Sequence, residues 1–316
     1  MSDLLPEHRA DATVGLPEAG GASPGAVTAA AADDGRSKKR RLGIGFWLSA
    51  VWLVIVFALT LLAPAVPFVE EPGAFPDFTV DPAAGPSADH WFGVNKNGDD
   101  LFSQVVNGGR TSLSIAFAVV ILGFFSGGLV GMVAGFFRGR VDRVISAVID
   151  VLLAFPALVL ALAMIAVFAS DGSTVRPNTT VVVGALSILS VAPLARITRG
   201  ITLSFAEREF VTAARTLGAS NSRILRKEIL PNVIPPMAVF SLTVIAVVIV
   251  AEGALAFLGL SVGGSWGQLI NIGRPEMESA PHITFFPAGV MFLTILALNY
   301  IGDILQSKFT VREGAL

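Results

Sequence analysis

TSLSIAFAVVILGFFSGGLVGMVAGFF, at residues 111–137, contains no Asp, Glu, Lys or Arg. A helix that crosses the hydrocarbon core of a bilayer needs about 20 predominantly apolar residues, so this stretch is long enough to do so. Further charge-free runs lie on both sides of it, and we expect six runs in all to form transmembrane helices. The six helices are predicted near residues 43–66, 111–136, 144–168, 178–200, 232–258 and 284–306.

The composition of the whole chain indicates the same class. Of 316 residues, 53% are apolar and only 15% are charged, too few charges to cover a soluble globule. The net charge of −2 gives no reason to expect nucleic acid as a partner. The absence of cysteine excludes disulfides and thiolate metal sites. The expected fold class is an all-α integral membrane protein with six transmembrane helices.

The distribution of Lys and Arg predicts the orientation. If the N-terminus is cytoplasmic, all but four of the 22 Lys and Arg residues lie on the cytoplasmic side. Because positive charge concentrates in cytoplasmic loops, and an even number of helices returns the chain to its starting side, both termini are expected in the cytoplasm. The four exceptions are Lys96, Arg110, Arg176 and Arg274.

The remaining segments are assigned by composition. Residues 1–37 lack apolar periodicity and are expected to be disordered. The glycine-rich run 253–273 is expected to be a loop that lines protein or water, because exposed backbone does not occur in lipid. The expected parts are a disordered basic-ended cytoplasmic tail (1–41), a first anchor helix (42–66), an extracytoplasmic loop (67–110), a membrane core (111–306) with a cytoplasmic helical loop (204–231), and a cytoplasmic C-terminus (307–316).

A glycine stripe runs along the stretch quoted first. Its members recur every four residues and therefore lie along one face of a helix. In a membrane, such a face lets a neighbouring backbone approach closely. The neighbour is expected either within the chain or in a second membrane subunit. The stripe consists of Gly123, Gly127, Gly131 and Gly135, with Gly139 after them.

Two acids lie in otherwise apolar helices. Asp150 is expected just below the cytoplasmic headgroups, where Arg196 or Arg199 could pair with it, and Glu252 is expected near the outer surface. Intramembrane acids are candidates for function, although both depths equally suit a structural ion pair or hydrogen bond. Pro156 is expected to kink its helix, because proline removes a backbone donor.

The most informative segment reads EREFVTAARTLGASNSRILRKEILPNVIPP, at residues 207–236. Four apolar residues at helical spacing form one stripe, and Gly218 follows where a helix end needs a left-handed residue. The segment therefore predicts helix, turn, helix. The stripe consists of Phe210, Ala213, Ala214 and Leu217.

The ends of this helical pair also carry signals. Ser204 and Glu207 have capping-box spacing, Ser220 or Asn221 can cap the second helix, and Pro231 is expected to stop it. Such a pair must dock on something. The membrane surface is one alternative, but a pocket on a cytoplasmic protein is favoured, because the small alanines permit close approach.

These residues resemble the "EAA" loop of bacterial ABC importer permeases. Other stretches resemble the C-type membrane subunit of dipeptide and oligopeptide permeases, and the resemblance covers about residues 40–312. Thr212 stands where the motif has its glutamate, and SVGGSWGQ (261–268) stands where prolines are common. The resembling stretches are HWFGVNKNGDDLFSQVVNGGRTSLSIAF (90–117), GRVDRVISAVIDVLLAFPALVLAL (139–162), EGALAFLGL (252–260) and LNYIGDIL (298–305).

The resemblance implies a type I importer permease in the bacterial plasma membrane that imports di- or oligopeptides. It implies no catalytic residue, metal site or cofactor in this chain, since two ATPase subunits or domains would bind ATP and Mg²⁺. The other implied partners are a second homologous permease subunit and an extracytoplasmic peptide-binding protein. The implied ATPase-coupling residues are Glu209, Phe210, Ala213, Ala214, Leu217, Gly218, Leu230 and Pro231.

Missing motifs bear on the alternatives. No GxxxxGK[ST] occurs, so this chain does not hydrolyse ATP through a P-loop, and the absence of HExxH and GxSxG disfavours an intramembrane enzyme. A nickel or metal-chelate importer permease of the same subfamily stays open, since the binding protein usually selects the cargo. A stand-alone secondary carrier is less favoured, because it would leave the docking helices unexplained.

Overall fold

The structure is a computed structural model that describes residues 43–71, 77, 79–168, 178–260 and 262–313. The predicted tail at residues 1–41 lies outside the described residues. Within them, regular structure is helical, apart from one isolated antiparallel bridge between Val94 and Asp100. The helices are α1 (Ile44–Leu62), α2 (Leu101–Phe137), α3 (Gly139–Ala154), α4 (Ala157–Phe168), α5 (Thr179–Ala206), α6 (Glu209–Thr216), α7 (Asn221–Phe257), α8 (Trp266–Gly273) and α9 (His282–Glu313).

Five of the six predicted spans are confirmed, and the sixth is broken. Helices α1, α2, α5, α7 and α9 are long and apolar enough to cross a membrane, and α3 with α4, which are bent by 90°, bring the count to six if the pair is one span. The break falls at Phe155, which has extended backbone, and at Pro156. Proline disfavours helical geometry in the residue before it, so the predicted kink is a complete interruption of the helix.

Several predicted boundaries were wrong. Helix α2 begins ten residues earlier than predicted, because the Asp100 side chain caps it by accepting from Ser103 N at 2.7 Å. The end of the predicted loop 67–110 is therefore helical. Likewise, the run 253–273, predicted to be a loop, contains α8, whose N-terminus is capped by Ser265. Charge-free runs locate spans but not helix ends, because helices continue beyond the hydrocarbon core.

The glycine stripe of α2 packs against α5 of the same chain. A Cβ atom added at Gly127 would lie 2.8 Å from the carbonyl oxygen of Val191, and one at Gly135 would lie 2.7 Å from that of Arg199. Gly123 and Gly131 face α5 equally closely. Gly139 does not belong to the stripe, since it opens α3 with a φ of 62°. Of the two alternatives, the structure supports packing within the chain.

Helices α2, α5 and α7 meet around α6, and we call this region the α6 end of the bundle. At the opposite end, α8 packs among α2, α7 and α9. Its first residue, Trp266, is buried, and the indole N–H donates to the carbonyl oxygen of Val105 at 2.8 Å.

Candidate coupling site

The predicted helix, turn, helix is present at the α6 end. Gly218 has a φ of 77°, and its N–H donates to Arg215 O at 2.9 Å. The next N–H, of Ala219, donates to Ala214 O at 3.0 Å. Together these bonds form a Schellman motif, which satisfies carbonyls left open at a helix end. As predicted, Ser220 caps the following helix, by accepting from Arg223 N at 3.4 Å.

The predicted capping box is wrong. Helix α5 continues through Ser204 to Ala206, so no free helix start exists at that point, and Arg208 is the N-cap of α6 instead. Glu207 pairs with Arg138 at the end of α2, with 2.9 Å between Arg138 Nη2 and Glu207 Oε1. The two residues are 69 positions apart, and no local pattern predicted their contact.

Most of the predicted apolar stripe is exposed. Ala214 is partly buried beside the fully buried Val211, which the predicted stripe did not include. Phe210 and Ala213 are exposed, and Leu217 is 87% exposed. The buried side of α6 joins a cluster from α2, α5 and α7, which we call the junction cluster. Its buried members are Met132, Phe136, Ala206, Val211, Ile224, Ile229, Val233 and Met237.

The prediction that Pro231 ends the second helix was wrong, because α7 runs on to Phe257. Residues Ile224–Ile229 have π-helical geometry, and the N–H of Leu230 donates five residues back to Leu225 O. This wider turn accommodates a proline, which lacks the N–H that a regular α-helix would use. The second helix and the fifth span are therefore one helix of 37 residues, about 55 Å long.

The remaining coupling candidates differ in exposure. Glu209 and Pro231 are exposed, whereas Leu230 is half-buried against the junction cluster. In the last turn of α6, the guanidinium of Arg215 lies 5.6 Å from the centre of the Phe136 ring. This cation–π contact is a further tie between α6 and the end of α2.

The two intramembrane acids have different surroundings. Asp150 pairs with Arg196 at 2.5 Å, one of the two predicted partners, while Arg199 pairs with Asp142, which the sequence reasoning missed. Glu252, predicted near the outer surface, lies toward the end of α7 that is away from α6, and it is only 2% exposed. Helix α8 folds back over the end of α7 and covers it.

A polar contact holds Glu252 between α2 and α8. Ser112 Oγ donates to Glu252 Oε2 at 3.1 Å and accepts from the backbone N–H of Trp266 at 3.1 Å. The other carboxyl oxygen, Oε1, has no hydrogen-bond partner among the residues that the structure describes. Glu252 thus links three helices.

An apolar bundle of five or six helices long enough to cross a bilayer defines a multi-pass membrane protein. Residues 127–312 match the family described as "Binding-protein-dependent transport system inner membrane component", and the chain belongs to this family. It is a multi-pass permease of an ABC importer in the bacterial inner membrane, working with an ATPase and a binding protein. ATP hydrolysis lies in separate subunits.

Individual relatives agree with this assignment. The chain is 40% identical over 225 residues to the "Glutathione transport system permease protein GsiD" of Escherichia coli O157:H7, and 37% identical to the protein of that name from Pectobacterium atrosepticum. Each alignment covers 70% of this chain and 72% of the relative.

Solved structures share the fold. The chain resembles the MetNI methionine ABC transporter in an inward-facing conformation, with a TM-score of 0.54 over 66% of this chain and 97% of that one. It also resembles an amino acid ABC transporter, with a TM-score of 0.52 over 66% of this chain and 94% of that one. Both are 19% identical in sequence to this chain.

Proposed function

We propose that the exposed side of α6, with Phe210, Ala213 and Leu217, seats in a cleft of the ATPase that powers this permease. The observation that carries the proposal is the 87% exposure of Leu217, on a helix end fixed by the Gly218 turn. A large apolar side chain held rigidly outside the bundle is suited to a protein partner, because binding removes its surface from water.

The buried side of α6 supports a role in transmitting force. Val211 is fully buried in the junction cluster, which joins α2, α5 and α7. Packed interiors resist compression, so a push on the exposed side would be passed to all three helices. Helix α7 would carry the motion farthest, because it continues unbroken to the opposite end of the bundle.

The proposed assembly contains this chain, a second homologous permease subunit, two ATPase subunits or domains, and an extracytoplasmic peptide-binding protein. ATP and Mg²⁺ are bound by the ATPases, and this chain holds no cofactor of its own. The α6 end and both termini face the cytoplasm. The excess of Lys and Arg in the segments assigned to that side supports this orientation.

The proposed cargo is a di- or oligopeptide. Relatives with 37–40% identity are named as glutathione permeases, and glutathione is itself a small peptide. Deleting the gene should abolish uptake of labelled glutathione or labelled dipeptides, and restoring the gene should restore it. Unchanged uptake of both would contradict a peptide cargo.

Replacing Leu217 with glutamine tests the docking surface. We expect Leu217→Gln to leave membrane insertion and thermal stability unchanged, because the side chain is exposed, but to reduce ATPase co-purification and ATP-driven uptake at least about tenfold, the range of an interface hot spot. The control is Ser222→Gln, a glutamine at an exposed position after the turn. Normal co-purification and uptake with Leu217→Gln would reject this surface.

A further inference from the structure

The ion pair of Asp150 and Arg196 is unusually open for its depth. Their side chains are 63% and 59% exposed. Helix α5 has 28 residues and is about 42 Å long, whereas the hydrocarbon core is about 30 Å thick. Arg196 lies ten residues, about 15 Å, before the end of α5 at Ala206. With α5 centred in the bilayer, the pair lies several ångströms inside the hydrocarbon region, where charges facing lipid are costly.

The backbone beside this pair is also broken. Between α3 and α4 the chain bends by 90°, and Phe155 at the bend is extended and 54% exposed. Irregular backbone at membrane depth occurs only where protein buries it or where it lines a water-filled cavity. The break therefore indicates, independently of the charges, that this side of the bundle does not face lipid.

A groove of about 500 Å³ lies next to both features, between α3, α5 and α7. We call it the α5 groove. Its lining includes Arg196, Gly200 and Ser204 beside the apolar side chains Leu153, Ile197, Ile201 and Phe240. A Cβ atom added at Gly200 would meet nothing within 4 Å, so the groove is open there.

The other exposed side of α3 has a different character. Val144, Val148 and Val151 are 65%, 56% and 59% exposed, and all three are apolar. Such a surface is suited to lipid. Helix α3 therefore separates a face that fits hydrocarbon from a face with a charged pair, a broken backbone and an open groove.

We propose that the α5 groove is the inner, water-filled stretch of the translocation path, and that Asp150 and Arg196 contact the two charged ends of a passing peptide. This inference rests on the proposed orientation and peptide cargo. The carboxylate of Asp150 suits a peptide ammonium group, and the guanidinium of Arg196 suits a terminal carboxylate, which it can bind with two parallel hydrogen bonds. Because both side chains are more than half exposed, each is accessible to a new partner.

The natural absence of cysteine allows a direct test of the water-filled path. Gly200→Cys and Ser204→Cys place a thiol in the groove, and Val148→Cys places one on the apolar face of α3. In the complete reconstituted complex without nucleotide, a water-soluble maleimide should modify the two groove thiols at least tenfold faster than the thiol at position 148. Similar rates at all three positions would overturn the proposal, because the groove would then be covered by lipid or by the second permease subunit.

A protection experiment tests the ligand. Dialanine in millimolar excess should slow modification of Gly200→Cys several-fold, and N-acetyl-dialanine amide, which lacks both charges, should not. Adding Arg196→Gln should remove the protection. Protection by both compounds or by neither would overturn the assignment of the charged pair. The comparison of positions 200 and 148 involves no cargo, so its result stands whether or not peptides are the cargo.

Discussion

Gly218 is the residue that sets the geometry of the candidate coupling site. Its φ of 77° is a conformation that costs a residue with a side chain about 1–2 kcal/mol. A Cβ atom there would meet nothing within 4 Å, so the whole cost is in the backbone. We expect Gly218→Val to insert normally but to lose ATP-driven uptake, because the turn that orients α6 relative to α7 would change.

The matched control for this change is Gly218→Asn, because asparagine tolerates the left-handed region better than other residues with side chains. Uptake and substrate-stimulated ATPase activity would be measured in reconstituted complexes. Fully coupled transport by the Gly218→Val complex would show that the turn has no part in coupling.

His90 gives the opposite end of the protein a pH dependence. Its ring lies 3.0 Å from Asp100, the N-cap of α2, and the hydrogen bond to that carboxylate raises the pKa of His90 above its usual 6.5. The charged form is therefore favoured in the folded state. Its stabilisation is fully present below about pH 6.5 and is lost as the pH rises through the raised value.

The melting temperature should consequently fall more between pH 6 and pH 9 in the wild type than in His90→Gln. Two nearby carboxyl groups also have shifted pKa values, and both groups are present in the two proteins compared. Burial, followed by the charge of Asp100, raises the pKa of Glu70 from 4.5, and hydrogen bonds from Thr79 lower that of Asp77 from 3.8. Identical slopes for the two proteins would mean that His90 contributes nothing to this dependence.

Residue-scale predictions from sequence succeeded where the signal is local. The glycine at position 218 and the serine cap at position 220 follow from backbone rules that span a few residues, and both are present. The capping box at Ser204 failed, because its pattern says nothing about whether the previous helix has ended. The contact between Arg138 and Glu207 joins distant parts of the chain, so no spacing rule could indicate it.

Helices α2 and α5 pack against each other very closely along the glycine stripe, and we call this contact the α2–α5 seam. A Cβ atom at Gly131 would collide with backbone of α5 at Ala195 and Arg199. Even Gly131→Ala should therefore destabilise the protein by about 1–3 kcal/mol, the usual cost of overpacking. Gly184→Ala in α5 is the control, because the added Cβ would meet nothing there and alanine favours helix.

The two variants would be compared by their yield and by their melting temperature in detergent. A Gly131→Ala protein as stable as Gly184→Ala would mean that α2 and α5 separate more readily than this seam indicates.

The limits of prediction at the scale of helices have a physical origin. Apolar runs located the six spans, because the bilayer thickness imposes a length that composition reveals. The ends of α2 and α5 were misplaced, since both helices are longer than the hydrocarbon core is thick and apolar runs do not show where such helices stop. The uninterrupted α7 was missed, because a π-helical turn admits Pro231 where ordinary helix rules predict a stop.

At the scale of the whole molecule, α7 connects the coupling site to the opposite end. The first turn of α7 follows the Gly218 turn. Glu252, five residues before the last residue of α7, accepts a hydrogen bond from Ser112 of α2. Ser112 in turn accepts from Trp266, the first residue of α8. The position of α8 thus depends on a polar contact made by the helix that begins at the candidate coupling site.

We therefore expect Glu252→Ala to loosen α8, and Glu252→Gln to keep it in place, because the glutamine oxygen can still accept from Ser112. Loss of a buried hydrogen bond costs about 1–3 kcal/mol, so local opening should rise roughly fivefold to a hundredfold.

Leu269→Cys, at a position on α8 where leucine is 8% exposed, would report the opening through its rate of modification by a water-soluble maleimide. Ala280→Cys, at a position outside α8 where alanine is 3% exposed, is the control and should stay protected in every background. If Glu252→Ala leaves the Leu269→Cys rate unchanged, packing alone holds α8, and the carboxyl group of Glu252 does not link α7 to the opposite end.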